Sequence, residues 1–144
     1  MIYNVTLTDR NIDQAVNNLV GEPFGFIYKL RNGSIGSEPF IIYDSSPEFN
    51  IDFDSQDYGR SCNIELRPGG IIVHFRKRYS SFIWPISFDQ LTIQLSDKLF
   101  LIKGNTLFAK LKPKLKSKKS SPFIQKVIET KAKHSKGENN RTEI

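Results

Sequence analysis

The chain carries one cysteine, one tryptophan, one methionine and two histidines in 144 residues. A lone thiol, Cys62, excludes an internal disulfide framework and fits a reducing compartment. Neither histidine, His74 or His134, has a partner near it in sequence, and Cys62 has no helix start or basic neighbour that would lower its pKa. No Gly-rich phosphate loop, paired metal ligands or nucleophile elbow can be read, so the sequence offers no catalytic residue, no cofactor site and no metal site. The run "DFDSQDYG" places Asp52 and Asp54 at the spacing of loop ligands. An EF-hand would need Gly where Asp57 stands and Glu where Asn63 stands, so the run reads as a solvated turn. Long apolar runs are missing as well. "FIIY" and "LFLI" are far short of a membrane span, and "MIYNVTLTDR" has neither a basic start nor an apolar h-region. The expectation is a cytoplasmic protein with no transmembrane segment.

What is present is enough for a folded domain. Hydrophobic residues make up 38% of the chain and aromatic ones 12%, with eleven phenylalanines, against an ordinary 25% of charged residues. The length suits one core without staples. Charge is divided unevenly. Residues 1–60 hold four basic and nine acidic side chains, a net of −5, which leaves 17 and 6 in residues 61–144, a net of +11. The basic half points to an anionic partner or to an acidic-on-basic contact within the fold.

Local patterns divide the chain into elements. "TDRNIDQAVNNLVG" predicts a helix capped by Thr8 or Asp9, with Ile12, Ala15, Val16, Leu19 and Val20 on one face and Gly21 as its stop. From Phe24 the period changes to two, and "FGFIYKL" and "EPFIIYD" read as strands joined by a hairpin at Asn32-Gly33. The alternation of Phe49, Ile51 and Phe53 suggests a short edge strand before a loop. "CNIELR", "IIVHFRK", "SSFIWPI", "QLTIQLS", "KLFLIK" and "TLFAKLK" follow as strands linked by short turns, which makes the sheet mainly antiparallel. A last helix starts at Ser120 or Ser121 with Pro122 in its first turn, and packs Phe123, Ile124, Val127 and Ile128. Residues 1–134 thus read as a single domain, with 135–144 as a flexible tail.

The order of residues 62–133 resembles the bacterial pleckstrin-homology-like domains, and among them the YcxB-like proteins. The match lies in the hairpin "IELRPGGIIVHF", the strand "SFIWPISFDQLTIQL" with its Trp84-Pro85, then "KLFLIKGNTLFAKLKP" and the helix "SPFIQKVIETKAK". The opening "YNVTLTDRNI" is similar too. The chain departs from YcxB-like proteins in having strands and acidic loops over residues 24–60 in place of their pair of membrane segments, so membrane anchoring does not carry over. The resemblance implies an α+β fold: an antiparallel, barrel-like sheet, an N-terminal helix and a C-terminal capping helix. It also implies binding of lipids or peptides rather than catalysis.

Two basic clusters are the candidate anion-binding residues. In "AKLKPKLKSKK" lysine recurs at Lys110, Lys112, Lys114, Lys116 and Lys118, with Lys119 added. On a strand these would share one face with Phe108, while Leu107, Ala109 and Leu111 line the other. Pro113 cannot donate to a ladder, so pairing should end near it. The competing explanation is an edge strand kept from aggregating by its lysines. The second cluster, Arg76, Lys77 and Arg78 beside Tyr79, falls at a hairpin, where arginine forks suit phosphate groups. The reading is a non-catalytic module that contacts an anionic membrane surface, peripherally at the inner face, or a protein partner. A nucleic-acid-associated protein and an enzyme with a site hidden from the sequence are the alternatives. Nucleic acid is less favoured because the lysine run contains no aromatic residue for stacking.

Overall fold

The computed structural model describes residues 1–54, 57–97, 99–114 and 121–142. The elements in chain order are β1 (Tyr3–Asn4), α1 (Arg10–Val20), α2 (Phe26–Asn32), β2 (Phe40–Ser45), two 3-10 turns (Pro47–Phe49 and Asp57–Arg60), β3 (Ser61–Arg67), β4 (Gly70–Lys77), β5 (Ser80–Ser87), β6 (Leu91–Ser96), β7 (Leu99–Gly104), β8 (Leu107–Pro113) and α3 (Pro122–Thr142). The strands form one antiparallel sheet of eight, in the order β1-β5-β4-β3-β2-β8-β7-β6. Its class is the expected α+β, but the sheet is open and not a barrel. β1 and β6 are its two edges. β1 is short, and beyond it the chain stays beside β5, the Val5 amide donating to the Ser81 carbonyl at 2.8 Å and the Ser81 amide to the Thr6 hydroxyl at 3.0 Å, while Asn4 Oδ1 accepts from the Thr6 amide at 3.0 Å and the Thr6 hydroxyl at 2.7 Å.

The sheet folds on itself at β2 and β3, which pair only at Phe40–Cys62 and Ile41–Ser61. This narrow ladder separates β1-β5-β4-β3 from β2-β8-β7-β6. One core of Ile64, Leu66, Val73, Phe75, Trp84 and Ile86 from the first half and Phe40, Ile42, Phe100, Ile102 and Leu111 from the second fills the space between. The approach is closest at Gly104, where a Cβ would sit 2.6 Å from Ile86 Cγ2. α3 adds Phe123, Ile124 and Val127 to the same core. On the reverse of β4 and β5, Val16 and Val20 of α1 cover Ile72 and Ile83. β4 is thus apolar on both faces, which explains its unbroken "IIV".

Local chemistry fixes the helix ends. Asp9, not Thr8, caps α1, its carboxylate accepting from the Asn11 amide at 2.9 Å and the Ile12 amide at 3.4 Å, and Gly21 ends the helix at φ 86°. The buried face of α1 is narrower than its apolar pattern. Val16 and Val20 are buried, while Ala15 and Leu19 face outward. Ser121 Oγ accepts from the Ile124 amide at 3.4 Å at the start of α3. That helix runs on to Thr142, past Lys133, after which the sequence had suggested a tail. Residues 143 and 144 lie outside the described residues.

Two predicted strands take other forms. Residues 26–32 are the helix α2, and Asn32-Gly33 ends it, with Gly33 at φ 81°. Phe24 and Tyr28 stand one helical turn apart and stack with ring centroids at 3.8 Å, and Lys126 of α3 donates to the carbonyl oxygens of Asn32 at 2.6 Å and Ser34 at 3.0 Å. A cation on the last carbonyls of a helix stabilises that end. Nor do Phe49, Ile51 and Phe53 form an edge strand. Phe49 closes the Pro47–Phe49 turn, fully buried against Trp84 and Phe75, and Asn50 reverses the chain at φ 51°.

The packing of α3 can be checked directly. Val127→Asp places an unpaired charge in the core and is expected to cost several kcal/mol, whereas Leu19→Asp, on an outward position of α1, should stay within about 0.5 kcal/mol. Thermal or urea unfolding of the two variants would show the contrast, and equal melting would refute the packing.

Candidate functional site

The predicted basic residues occupy two surfaces. β8 alternates as the sequence indicates, with Leu107, Ala109 and Leu111 buried and Phe108, Lys110 and Lys112 turned outward. Pairing ends at Pro113, opposite Phe40. The strand is not an edge, however. It lies between β2 and β7, so its lysines do not guard a free ladder. Lys110 Nζ approaches Asp44 Oδ2 at 3.5 Å, an exposed pair of small energetic weight. Lys114 follows the strand, and Lys116, Lys118 and Lys119 lie outside the described residues.

The second cluster is the β4–β5 hairpin. Arg78 takes a left-handed conformation at φ 55° to make the turn, and Tyr79 beside it is 92% exposed. Strand alternation puts Arg76 and Lys77 on opposite faces. Lys77 Nζ lies over the Phe82 ring, 4.6 Å from its centroid, so this charge bends back onto the sheet while Arg76 points away from it. Arg76 stands one step beyond the Cys62–Phe75 pair, in the row that continues through Ser61 and Ile41 to Lys112. The two clusters therefore share the outward face of the sheet. Three strand spacings, roughly 14 Å, and the fold line at β2–β3 separate them, so they form no single pocket.

A third surface was hidden from the sequence reading by the wrong period. Tyr28 of α2, with Phe24 just before the helix, is half-buried, leaving Phe26, Ile27 and Leu30 at 73%, 67% and 69% exposure, with Lys29 and Arg31 exposed among them. The spacing i, i+1, i+4 was the available signal. α2 sits away from the β4–β5 hairpin. The chain before it leaves α1 where the Gly69 amide donates to the Val20 carbonyl, and the chain after it pairs Gly36 with Glu65.

The groups that could do chemistry are engaged in structure. Cys62 is buried, and burial pushes its thiol up to about 12. His74 Nε2 lies 2.8 Å from Glu65 Oε1, and Arg67 binds Glu65 Oε2 through Nε. Arg67 Nη1 also donates to Asn17 Oδ1 at 2.9 Å and the Gly21 carbonyl at 2.8 Å. This network, which the sequence did not reveal, ties the C-terminal end of α1 to β3. Burial raises the Glu65 pKa, but the hydrogen bonds from His74 and Arg67 and the charge of Arg67 together outweigh it and hold the carboxyl below its ordinary 4.5. Asp52 Oδ1 accepts from the Asp54 amide at 3.0 Å in an exposed turn, and the described residues contain no group of three or more metal-ligating side chains.

Two measurements test this account. Cys62 should resist alkylation in the native protein and react at the rate of a free thiol once denaturant unfolds it; rapid native labelling would contradict its burial. Because the folded-state pKa of Glu65 is depressed, its contribution to stability is present above the unfolded value near 4.5 and is lost as pH falls through the lower folded value. The melting temperature should therefore drop on acidification below about pH 4.5, with a smaller drop in Glu65→Gln. No helix among the described residues is long and apolar enough to cross a membrane. Comparisons of the chain with protein-family models, curated proteins and solved structures give no match, so the assignment of function rests on the surfaces themselves.

Proposed function

We propose that the protein is a non-catalytic binding module that docks peripherally on an anionic membrane surface, with α2 as the contacting element. The observation that carries this reading is the exposed face of α2, where Phe26, Ile27 and Leu30 stand beside Lys29 and Arg31. Apolar side chains flanked by cations suit the interface of an acidic bilayer, where the rings and branched chains enter the headgroup boundary and the cations stay with the phosphates. The β8 lysines add to the field. The next described element after β8 is α3, the helix whose Lys126 holds the end of α2. The pleckstrin-homology-like order of hairpins and closing helix is compatible with such a module. Engagement of Cys62, Glu65 and His74 in burial and structural bonds supports binding over catalysis.

Each basic residue near an acidic bilayer contributes about 1 kcal/mol, so a few of them with a partly inserted helix give weak, salt-sensitive association. Co-sedimentation with phosphatidylcholine vesicles, with and without phosphatidylserine, is the test. The wild type should pellet with the acidic vesicles at low salt and be released as salt rises. Changing Phe26, Ile27 and Leu30 to Ser should abolish pelleting without lowering the melting temperature. Changing Lys112 and Lys114 to Gln should weaken it by about 2 kcal/mol, roughly thirtyfold. Arg76→Gln with Arg78→Gln should matter less, since the hairpin lies away from α2. Failure of the wild type to bind acidic vesicles at low salt would overturn the proposal and leave the α2 face to a protein partner.

A further inference from the structure

Open sheets usually blunt their edges, with a very short strand, a bulge, a proline or an inward-pointing charge. One edge here follows that rule, since β1 has two residues. The other does not. β6, "LTIQLS", pairs with β7 over six consecutive residues without a register shift, and contains no charge, no proline and no glycine. Among the described residues no other segment pairs with it.

The ladder also shows which main-chain groups are free. The tight turn at Asn105-Thr106 makes Gly104 and Leu107 a hydrogen-bonded pair. Bonding on β7 then alternates, Phe100, Ile102 and Gly104 facing β8 and Leu99, Leu101 and Lys103 facing β6. Thr92, Gln94 and Ser96 are therefore the β6 residues bonded to β7, and the amides and carbonyls of Ile93 and Leu95 point outward from the edge. Thr92, Gln94, Leu95 and Ser96 have exposed side chains, and Leu95 and neighbouring Leu99 are 46% and 40% exposed.

We infer that the β6 edge is a self-association surface, on which a second copy of this chain adds its own β6 antiparallel about a two-fold axis through Gln94. In that register Ile93 of one copy lies opposite Leu95 of the other, each pair exchanging both main-chain hydrogen bonds, and the two Gln94 side chains meet on the axis. The pairing covers the exposed Leu95 and continues the inner apolar row of Leu91, Ile93 and Leu95 across the junction. The strand suits a copy of the same chain because it is nearly symmetric about Gln94, with Thr92 set against Ser96 and Ile93 against Leu95. The molecule carries a net +6, so two copies repel over most of their surfaces, and β6 is a strand of the basic half on which no like charges meet. An edge of six residues lies at the small end of protein interfaces, so the dimer is weak and reversible.

Sedimentation velocity on the full chain, from about 10 μM to about 1 mM, reads the association directly. The weight-average mass should climb from that of one chain toward twice that value, and added salt should strengthen the dimer by screening the repulsion, the opposite sign to the salt effect on vesicle binding. Gln94→Lys and Gln94→Glu, on an exposed position, should each remain monomeric by placing like charges face to face, with melting temperatures unchanged. Mixed together, the two variants should dimerise again. A wild type that stays monomeric throughout, or two variants that each self-associate as the wild type does, would overturn the inference.

Discussion

A sheet of eight strands that does not close must hide one face from water, and here it does so by folding on itself at a ladder two residue pairs wide. Everything else depends on that fold line. If β2 and β3 paired along their full lengths, the two halves would lie in one plane, and Trp84, Phe100 and Ile102 would have no opposing layer. Because they pair only at Phe40–Cys62 and Ile41–Ser61, the halves can face each other, and α3 is left to fill the remaining gap. Gly104 sets how near the halves come, since any side chain there would push Ile86 away.

The same arrangement determines where charge can go. The inner faces are apolar apart from Lys77 at the hairpin end, so the other cations of the basic half stand on outward positions such as Arg76, Lys103, Lys110 and Lys112 and on α3. Strand alternation then prevents neighbours such as Arg76 and Lys77 from converging. The charged residues that do converge are Arg67, Glu65 and His74, of which Arg67 ties the C-terminal end of α1 to the sheet. Of the two partners of the Glu65 carboxylate, Arg67 also bonds to Asn17 and Gly21.

Most of the strand plan was legible because successive hairpins with short turns leave few choices: "RPGG", "KRYS" and "KGNT" each join two strands rich in apolar residues, with buried positions alternating on β7 and β8. The helix starts were legible from Asp9, Ser121 and Pro122. What misled was brevity. Over "FGFIYKL", Phe24, Phe26, Tyr28 and Leu30 satisfy a period of two, while Phe24 with Tyr28 and Phe26 with Leu30 equally satisfy a helical turn, and a contact from Lys126, ninety-four residues along the chain from Asn32, sides with the helix. The position of β8 was invisible for a related reason. Lysines on alternate residues look the same on an edge as in the interior, and only the long-range pairing with β2 places the strand inside. The openness of the sheet lies in β1 and β6 not pairing with each other, a long-range relation that no periodicity announces.

The position of α3 also has a consequence for synthesis. A chain that emerges from the ribosome N-terminus first presents α1 long before Ile72 and Ile83, the residues it covers, exist, and presents the bent sheet before Phe123, Ile124 and Val127 can seal it. The core is therefore incomplete until α3 has been made, and during that interval the inner row of β6 and β7 is bare apolar surface beside an edge that no other described segment pairs with.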